Sequence, residues 1–223
     1  MAINRSVGRS TVSVAEAHLA RVGAEGSARH RYLNALLEAS GVHSARDLAD
    51  AVHLLCSLHG RHPSLIEVAH RNSAAGPARE WLGRAAEGFE RERLFLVRLT
   101  AAVGPLPSTP GAAETEASLS AQRNALEILA ASERRGCALG AAAALVGDWW
   151  PVRRLLDRAA SRAGLDAPAP SLPDETTVVA AIEAASDTPA SERALSFGSE
   201  QLLLQHRGLF DLLEARAEAR RDC

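Results

Sequence analysis

The sequence predicts an all-α protein with a four-helix-bundle core and additional short helices. Hydrophobic residues make up 47% of the 223 positions but aromatic residues only 4%, so Ala and Leu supply most apolar side chains. Both residues favour helices, whereas strands favour β-branched and aromatic residues. Apolar residues recur at helical spacing along most of the chain, and no segment shows the alternation typical of a half-buried strand.

The N-terminal part of the chain is predicted to contain a tail and two short helices. Residues 1–12 are polar and are expected to form a flexible N-terminus, followed by a single all-helical domain over 13–223. A helical pattern starts near Val14 and is interrupted by glycines. A second helix is predicted over 29–39, because the Gly41 that follows it is typical of a helix C-terminus.

The predicted helices that follow begin at capping residues and prolines. Ser44 suits an N-cap, with Asp47 in the acidic position of a capping box, and starts a helix over 44–60. Pro63 then allows two interpretations, because it either starts a new helix or kinks one long helix. The remaining helices, separated by loops rich in proline and glycine, are predicted over 78–103, 115–147, 152–163, 174–186 and 190–220.

The segment 136–147 predicts a close contact between helices. Gly and Ala make up most of it, and small side chains permit short distances between helix axes. We expect this part of the predicted helix 115–147 to lie centrally, against its neighbours.

The absence of lysine excludes several kinds of active site. All 25 basic residues are Arg. The chain therefore has no Gly-Lys-Ser/Thr phosphate-binding loop, no lysine for a Schiff base with pyridoxal phosphate, and no kinase lysine. The formal net charge of −2 does not provide the basic surface that a nucleic-acid-binding protein needs. We therefore expect no nucleic-acid partner.

Cysteine usage and the absence of targeting segments predict a cytoplasmic protein. Cys56, Cys137 and Cys223 are far apart, which fits neither a disulfide framework nor a zinc knuckle. Residues 1–5 lack the apolar core of a signal peptide, and the longest apolar run, 137–146, is too short to span a bilayer. We expect no membrane association.

Each of the four longest predicted helices carries one ionisable residue within its apolar stripe. These residues are His59, Glu92, Glu133 and His206. Unpaired burial of such groups costs several kcal/mol, so each is expected to find a partner in the bundle. Two interpretations are open. In the first, the residues form buried His–Glu hydrogen bonds or extend to the edge of the bundle; in the second, they form a metal site that suits zinc, iron or manganese. One metal requires all four residues within about 10 Å of each other, because ligand bonds are about 2 Å long.

Glu67 and His70 form a Glu-x-x-His pair, and in this motif and in helix number the chain resembles the ferritin-like family. The resemblance implies a four-helix bundle with a metal site in its core. The pattern is incomplete, because there is no second Glu-x-x-His pair and this one lies mostly off the apolar stripe of its helix. A pair on the helix surface is the competing interpretation. The chain also resembles an uncharacterised bacterial family of helical proteins that are rich in Ala and Leu and use only Arg.

Two functions follow from these features. The first is a helical interaction or small-ligand-binding module, with a protein partner or a second copy of itself, which predicts an apolar pocket or patch and no metal. The alternative is a ferritin-like metal-binding protein or oxidoreductase, in which the four stripe residues converge on one centre. The sequence identifies no catalytic residue and establishes no cofactor.

Overall fold

The computed structural model describes residues 12–222, apart from the side chains of Val42 and Glu175. The all-α prediction is confirmed over this range, which contains no strand. The predicted flexible N-terminus lies outside the described residues except for Val12. The nine α-helices of residues 12–222 are α1 (Val14–Glu25), α2 (Arg31–Glu38), α3 (Val42–His59), α4 (Leu65–Asn72), α5 (Pro77–Ala102), α6 (Ala112–Ala130), α7 (Cys137–Ala163), α8 (Val179–Ala185) and α9 (Pro189–Arg221).

Helix α7 forms the centre of the fold. Its residues are buried around most of its circumference, from Leu139 near one end to Ala160 near the other. A helix that is apolar on all sides has to be surrounded by protein, and α7 packs against α1 to α6 and most extensively against α9. None of the helices within residues 12–222 is both long enough and apolar enough to cross a membrane.

Helices α7 and α9 meet through two glycines. A Cβ atom added at Gly140 would overlap the carbonyl oxygen of Leu195, and one added at Gly198 would overlap that of Cys137. The two backbones can lie this close only because neither glycine carries a side chain. The close helix contact predicted from segment 136–147 is therefore confirmed.

Two predicted helix boundaries in this region are wrong. The predicted helix 115–147 is two helices, because α6 ends at Ala130 and α7 begins at Cys137. Gly136, between them, has a φ of 94°, a left-handed conformation that no α-helix contains. The predicted break at Pro151 is absent, since α7 continues through it. Buried residues on both sides hold the helix against the roughly 3 kcal/mol cost of an internal proline.

The segment around Pro63 separates two helices. Helix α3 ends at His59 and α4 begins at Leu65, so a break is correct and a kink is not. The Ser64 Oγ accepts the backbone N–H of Glu67, and the Glu67 carboxylate accepts that of Ser64. Helix α4 therefore starts at a capping box, one residue after the proline.

Buried ion pairs join α3 to the end of α9. The Asp50 carboxylate is completely buried, and the guanidinium groups of Arg216 and Arg220 donate to it at 2.7 and 2.6 Å. Arg220 also donates to Asp47 at 2.7 Å. The predicted capping role of Asp47 is wrong, because α3 begins earlier, at Val42. Charge-assisted pairs of this kind are strong and directional, and they position α3 on α9.

Acid should destabilise the protein through His18, which lies buried between α1 and α9. Its Nδ1 is 2.8 Å from the Ser199 hydroxyl, and burial lowers its pKa from 6.5 to about 4. Between these values the unfolded chain binds a proton that the folded chain does not, so the free energy of unfolding falls as pH is lowered from 6.5 to 4. We expect His18→Asn to reduce this fall by up to roughly 3 kcal/mol, measured by urea unfolding across that range.

His43→Asn is the matched control, because His43 is exposed at the start of α3. The control should retain the full pH dependence. An unchanged dependence in His18→Asn would contradict the assignment.

Candidate functional site

A buried carboxylate, Asp148, is the centre of a hydrogen-bonded cluster. It lies on the central helix α7 and is 1% exposed. One oxygen accepts the backbone N–H of Ser27 at 2.6 Å, and the other accepts the Ser27 hydroxyl at 2.6 Å. The second oxygen also accepts Nδ1–H of His206, on α9, at 2.7 Å. A carboxylate can accept all three hydrogen bonds, so its burial is compensated by fixed donors.

His206 extends this cluster to a second histidine, His59. Their Nε2 atoms are 3.0 Å apart, and their rings are almost perpendicular. His59 is the last residue of α3, where its ring packs beside Phe89 of α5 and Trp149 of α7. The chain of side chains from Ser27 through Asp148 and His206 to His59, called the relay below, therefore joins residues from four separate elements.

Asp148 determines where the hydrogens of the two imidazoles lie. Because it accepts Nδ1–H of His206, a neutral His206 ring would carry only a lone pair at Nε2. His59 then donates its own Nε2–H to that lone pair, and its Nδ1 is left as an acceptor. Burial lowers the pKa of His59 well below its usual value, and His206 lowers it further, so the His59 ring is neutral at pH 7.

The relay ends at a cavity of about 430 Å³, called the His59 cavity below. Its apolar lining comes from the end of α3, α4, α5 and α6, and its charged lining lies on the turn after α3 and on α6. The apolar side chains are Leu58, Leu65, Val68, Phe89 and Leu126, and the charged ones are Arg61, Arg123 and Glu127. Within residues 12–222 the Nδ1 atom of His59 meets no hydrogen-bond partner, although the residue lines this cavity.

Glu92, the third residue predicted from the sequence, belongs to a different cluster. Its carboxylate accepts hydrogen bonds from Arg153 at 2.8 Å, from the Trp149 indole at 3.2 Å and from the Ser171 backbone at 3.0 Å. Both Glu92 and Arg153 are 2% exposed. Glu92 is therefore a buried partner of Arg153, and neither histidine contacts its carboxylate.

Glu133, the fourth residue, does not point into the core. It lies in the turn between α6 and α7 and is exposed, because the predicted helix 115–147 is interrupted there. The structure thus brings together His59 and His206 but not all four predicted residues. The expected buried His–Glu pairs are replaced by a His–His pair, a His206–Asp148 pair and a Glu92–Arg153 pair.

Three other side chains converge at the surface near the cavity. Within the described residues, His62, Glu67 and Glu90 form a group whose potential metal-ligating atoms lie within 4.8 Å of one another. Glu67 already caps α4, and both oxygens of Glu90 accept hydrogen bonds from Arg93 at 2.6 Å. These partners explain the cluster without a metal.

Comparison with known proteins identifies the family to which the chain belongs. A family model matches residues 22–221, which is most of the length of the chain. The chain belongs to DUF6975, a family of unknown function. No curated protein and no solved structure matches it. DUF6975 therefore supplies no activity that could be assigned to the relay, and the match includes every residue from Ser27 to His206.

The sequence did not predict Ser27, Asp148 or Arg153 as members of these clusters, although a signal existed for Asp148. Asp148 lies four residues after Ala144 and so continues the apolar stripe, but the predicted helix ended at 147. Arg153 lay in a separate predicted helix. Ser27 follows a glycine in an irregular segment and carries no periodic signal.

Removing the carboxylate of Glu92 should strongly destabilise the protein. Glu92→Leu leaves the buried guanidinium of Arg153 without its main partner, and breaking such a pair costs about 3 to 5 kcal/mol. The free energy of unfolding in urea measures the loss. Glu87→Leu, at an exposed position of the same helix, should change it by less than about 1 kcal/mol. A small effect of Glu92→Leu would contradict the structural assignment of this pair.

Proposed function

We propose that this protein binds a small molecule in the His59 cavity. The observation that carries the proposal is the relay, which crosses the core and ends at His59, a residue that lines the cavity and whose Nδ1 has no hydrogen-bond partner within residues 12–222. Apolar walls with a few directed polar groups are typical of small-molecule sites. His59 Nδ1 would accept a hydrogen bond from the ligand, while the apolar side chains bury its hydrocarbon part.

The desolvation cost of burying the polar side chains of the relay supports a role beyond stability. Apolar residues of similar volume can replace buried polar networks without loss of stability, and often with a gain. A network that only filled the core would also be expected to satisfy all of its members. The relay gives Asp148 three hydrogen-bond donors, but Nδ1 of His59 has no hydrogen-bond partner within residues 12–222.

The ferritin-like metal site stays a prediction with less support. Glu133 is exposed, Glu92 is occupied by Arg153, and the two histidines are joined by a hydrogen bond. Association with a protein partner or a second copy of the chain also stays a prediction.

A thermal-shift screen tests the binding proposal. A library of small phenols, carboxylic acids and nitrogen heterocycles should contain compounds that raise the melting temperature of the wild type. A ligand at about 100 times its Kd stabilises the folded state by roughly 2.7 kcal/mol. Val68→Trp fills the cavity with an indole and should abolish these shifts.

Val97→Trp is the matched control, because Val97 is partly exposed on α5 and does not line the cavity. The control should keep every shift of the wild type. Shifts that persist in Val68→Trp would locate binding elsewhere, and a library without hits would overturn the proposal.

Metal analysis distinguishes the two functions. Protein purified without a histidine tag should contain far less than one iron, manganese or zinc per chain, because the relay already satisfies both Nε2 atoms. His206→Ala and Glu133→Ala should not change the content measured by mass spectrometry. Stoichiometric metal that is lost in His206→Ala would favour the metal site instead.

A further inference from the structure

We infer that the ligand of the His59 cavity is a small weak acid, bound as its anion, whose proton the relay stores on His206. The inference rests on the binding function proposed above and names the ligand's chemical class. It follows from the order in which the relay residues are connected.

The proton transfer involves three groups, the ligand, His59 and His206. The acidic O–H or N–H of the ligand gives its proton to Nδ1 of His59. His59 passes its Nε2 hydrogen across the 3.0 Å contact to Nε2 of His206. His59 ends neutral with its hydrogen on Nδ1, and His206 ends as an imidazolium. The ligand keeps the electron pair of the broken bond as an anion, and no bond between heavier atoms changes.

The positive charge is better placed on His206 than on His59. His206 lies 2.7 Å from the Asp148 carboxylate, which is held by Ser27 and is completely enclosed. An opposite charge within about 6 Å favours the charged form of a titratable group. His59 instead lies beside the rings of Phe89 and Trp149, and burial disfavours its charged form.

The cavity lining suits the anion that remains. Arg61 and Arg123 line the cavity together with His62 and one acidic residue, Glu127. The Arg123 guanidinium also donates to Glu116 at 2.7 Å. The other walls are largely apolar, with the Phe89 ring among them, so the site favours a ring or a short hydrocarbon with one acidic group. A carboxylic acid is already ionised at pH 7 and brings no proton. A phenol or an enol is the class that both uses the relay and fits the walls.

A series of phenols of similar shape and increasing acidity tests the inference. Phenol, 4-cyanophenol and 4-nitrophenol are titrated into the full chain by calorimetry, at a pH below the pKa of free 4-nitrophenol. Affinity should rise by at least about tenfold across the series, and bound 4-nitrophenol should show the absorption of its phenolate. Asp148→Asn should remove most of this dependence on acidity, because it removes the charge that stabilises protonated His206.

Two further measurements keep the test independent of folding defects. In the wild type alone, nitrogen NMR of the histidine rings should show His206 protonated at both nitrogens, and His59 with its hydrogen on Nδ1, when 4-nitrophenol is bound. His53→Gln is the control variant, because His53 bonds the Gly104 carbonyl oxygen at 2.8 Å and does not line the cavity. It should bind the series as the wild type does.

Each result decides one question. Binding that does not depend on acidity, or bound 4-nitrophenol in its neutral form, overturns the weak-acid inference and leaves the binding function intact. The same holds if no phenol binds while other compounds of the screen do so. If no compound binds and Val68→Trp changes nothing, the proposed function falls as well.

Discussion

The close approach of α7 to α9 is the contact on which the rest of the structure depends. Gly140 and Gly198 remove the side chains that would separate the two backbones. With the axes this close, Asp148 on one helix meets His206 on the other at 2.7 Å. The glycine contact, which is apolar and without chemistry of its own, therefore sets the geometry of the polar relay.

The burial of Asp148 and His206 restricts which hydrogen-bond partners they can have. Asp148 and His206 are each 1% exposed, so each polar atom needs a partner in the protein and an incorrect pairing would cost the full desolvation energy. The three donors on Asp148 come from the short 3₁₀ helix Ser27–Arg29 and from α9, and His59 adds α3. One carboxylate on the central helix thus fixes the orientation of three other elements. Asp50, in the middle of α3, similarly positions α3 on α9 through Arg216 and Arg220.

The sequence allowed the inward-facing positions to be predicted, but not their partners. His59, Glu92 and His206 fall in apolar stripes, and all three are buried, because helical periodicity reports which face of a helix meets the core. The prediction that Glu133 faces the core is wrong, because α6 ends at Ala130 and Glu133 lies in the segment before α7. The partners are separated by 58 to 147 residues along the chain, and helical periodicity contains no information about which stripes meet.

Trp149 separates two buried polar clusters, the relay and the Glu92–Arg153 pair. Its indole N–H donates to Glu92, while its ring packs 5.5 Å from that of His59, so it lies between the clusters. On the Glu92 side the carboxylate is ionically paired with Arg153, a group that does not give up its proton. On the His59 side two imidazoles share one hydrogen, and a shift of that hydrogen exchanges donor and acceptor at the cavity. The proposed proton transfer requires a movable hydrogen beside an accessible space, and His59 both contacts His206 and lines the cavity.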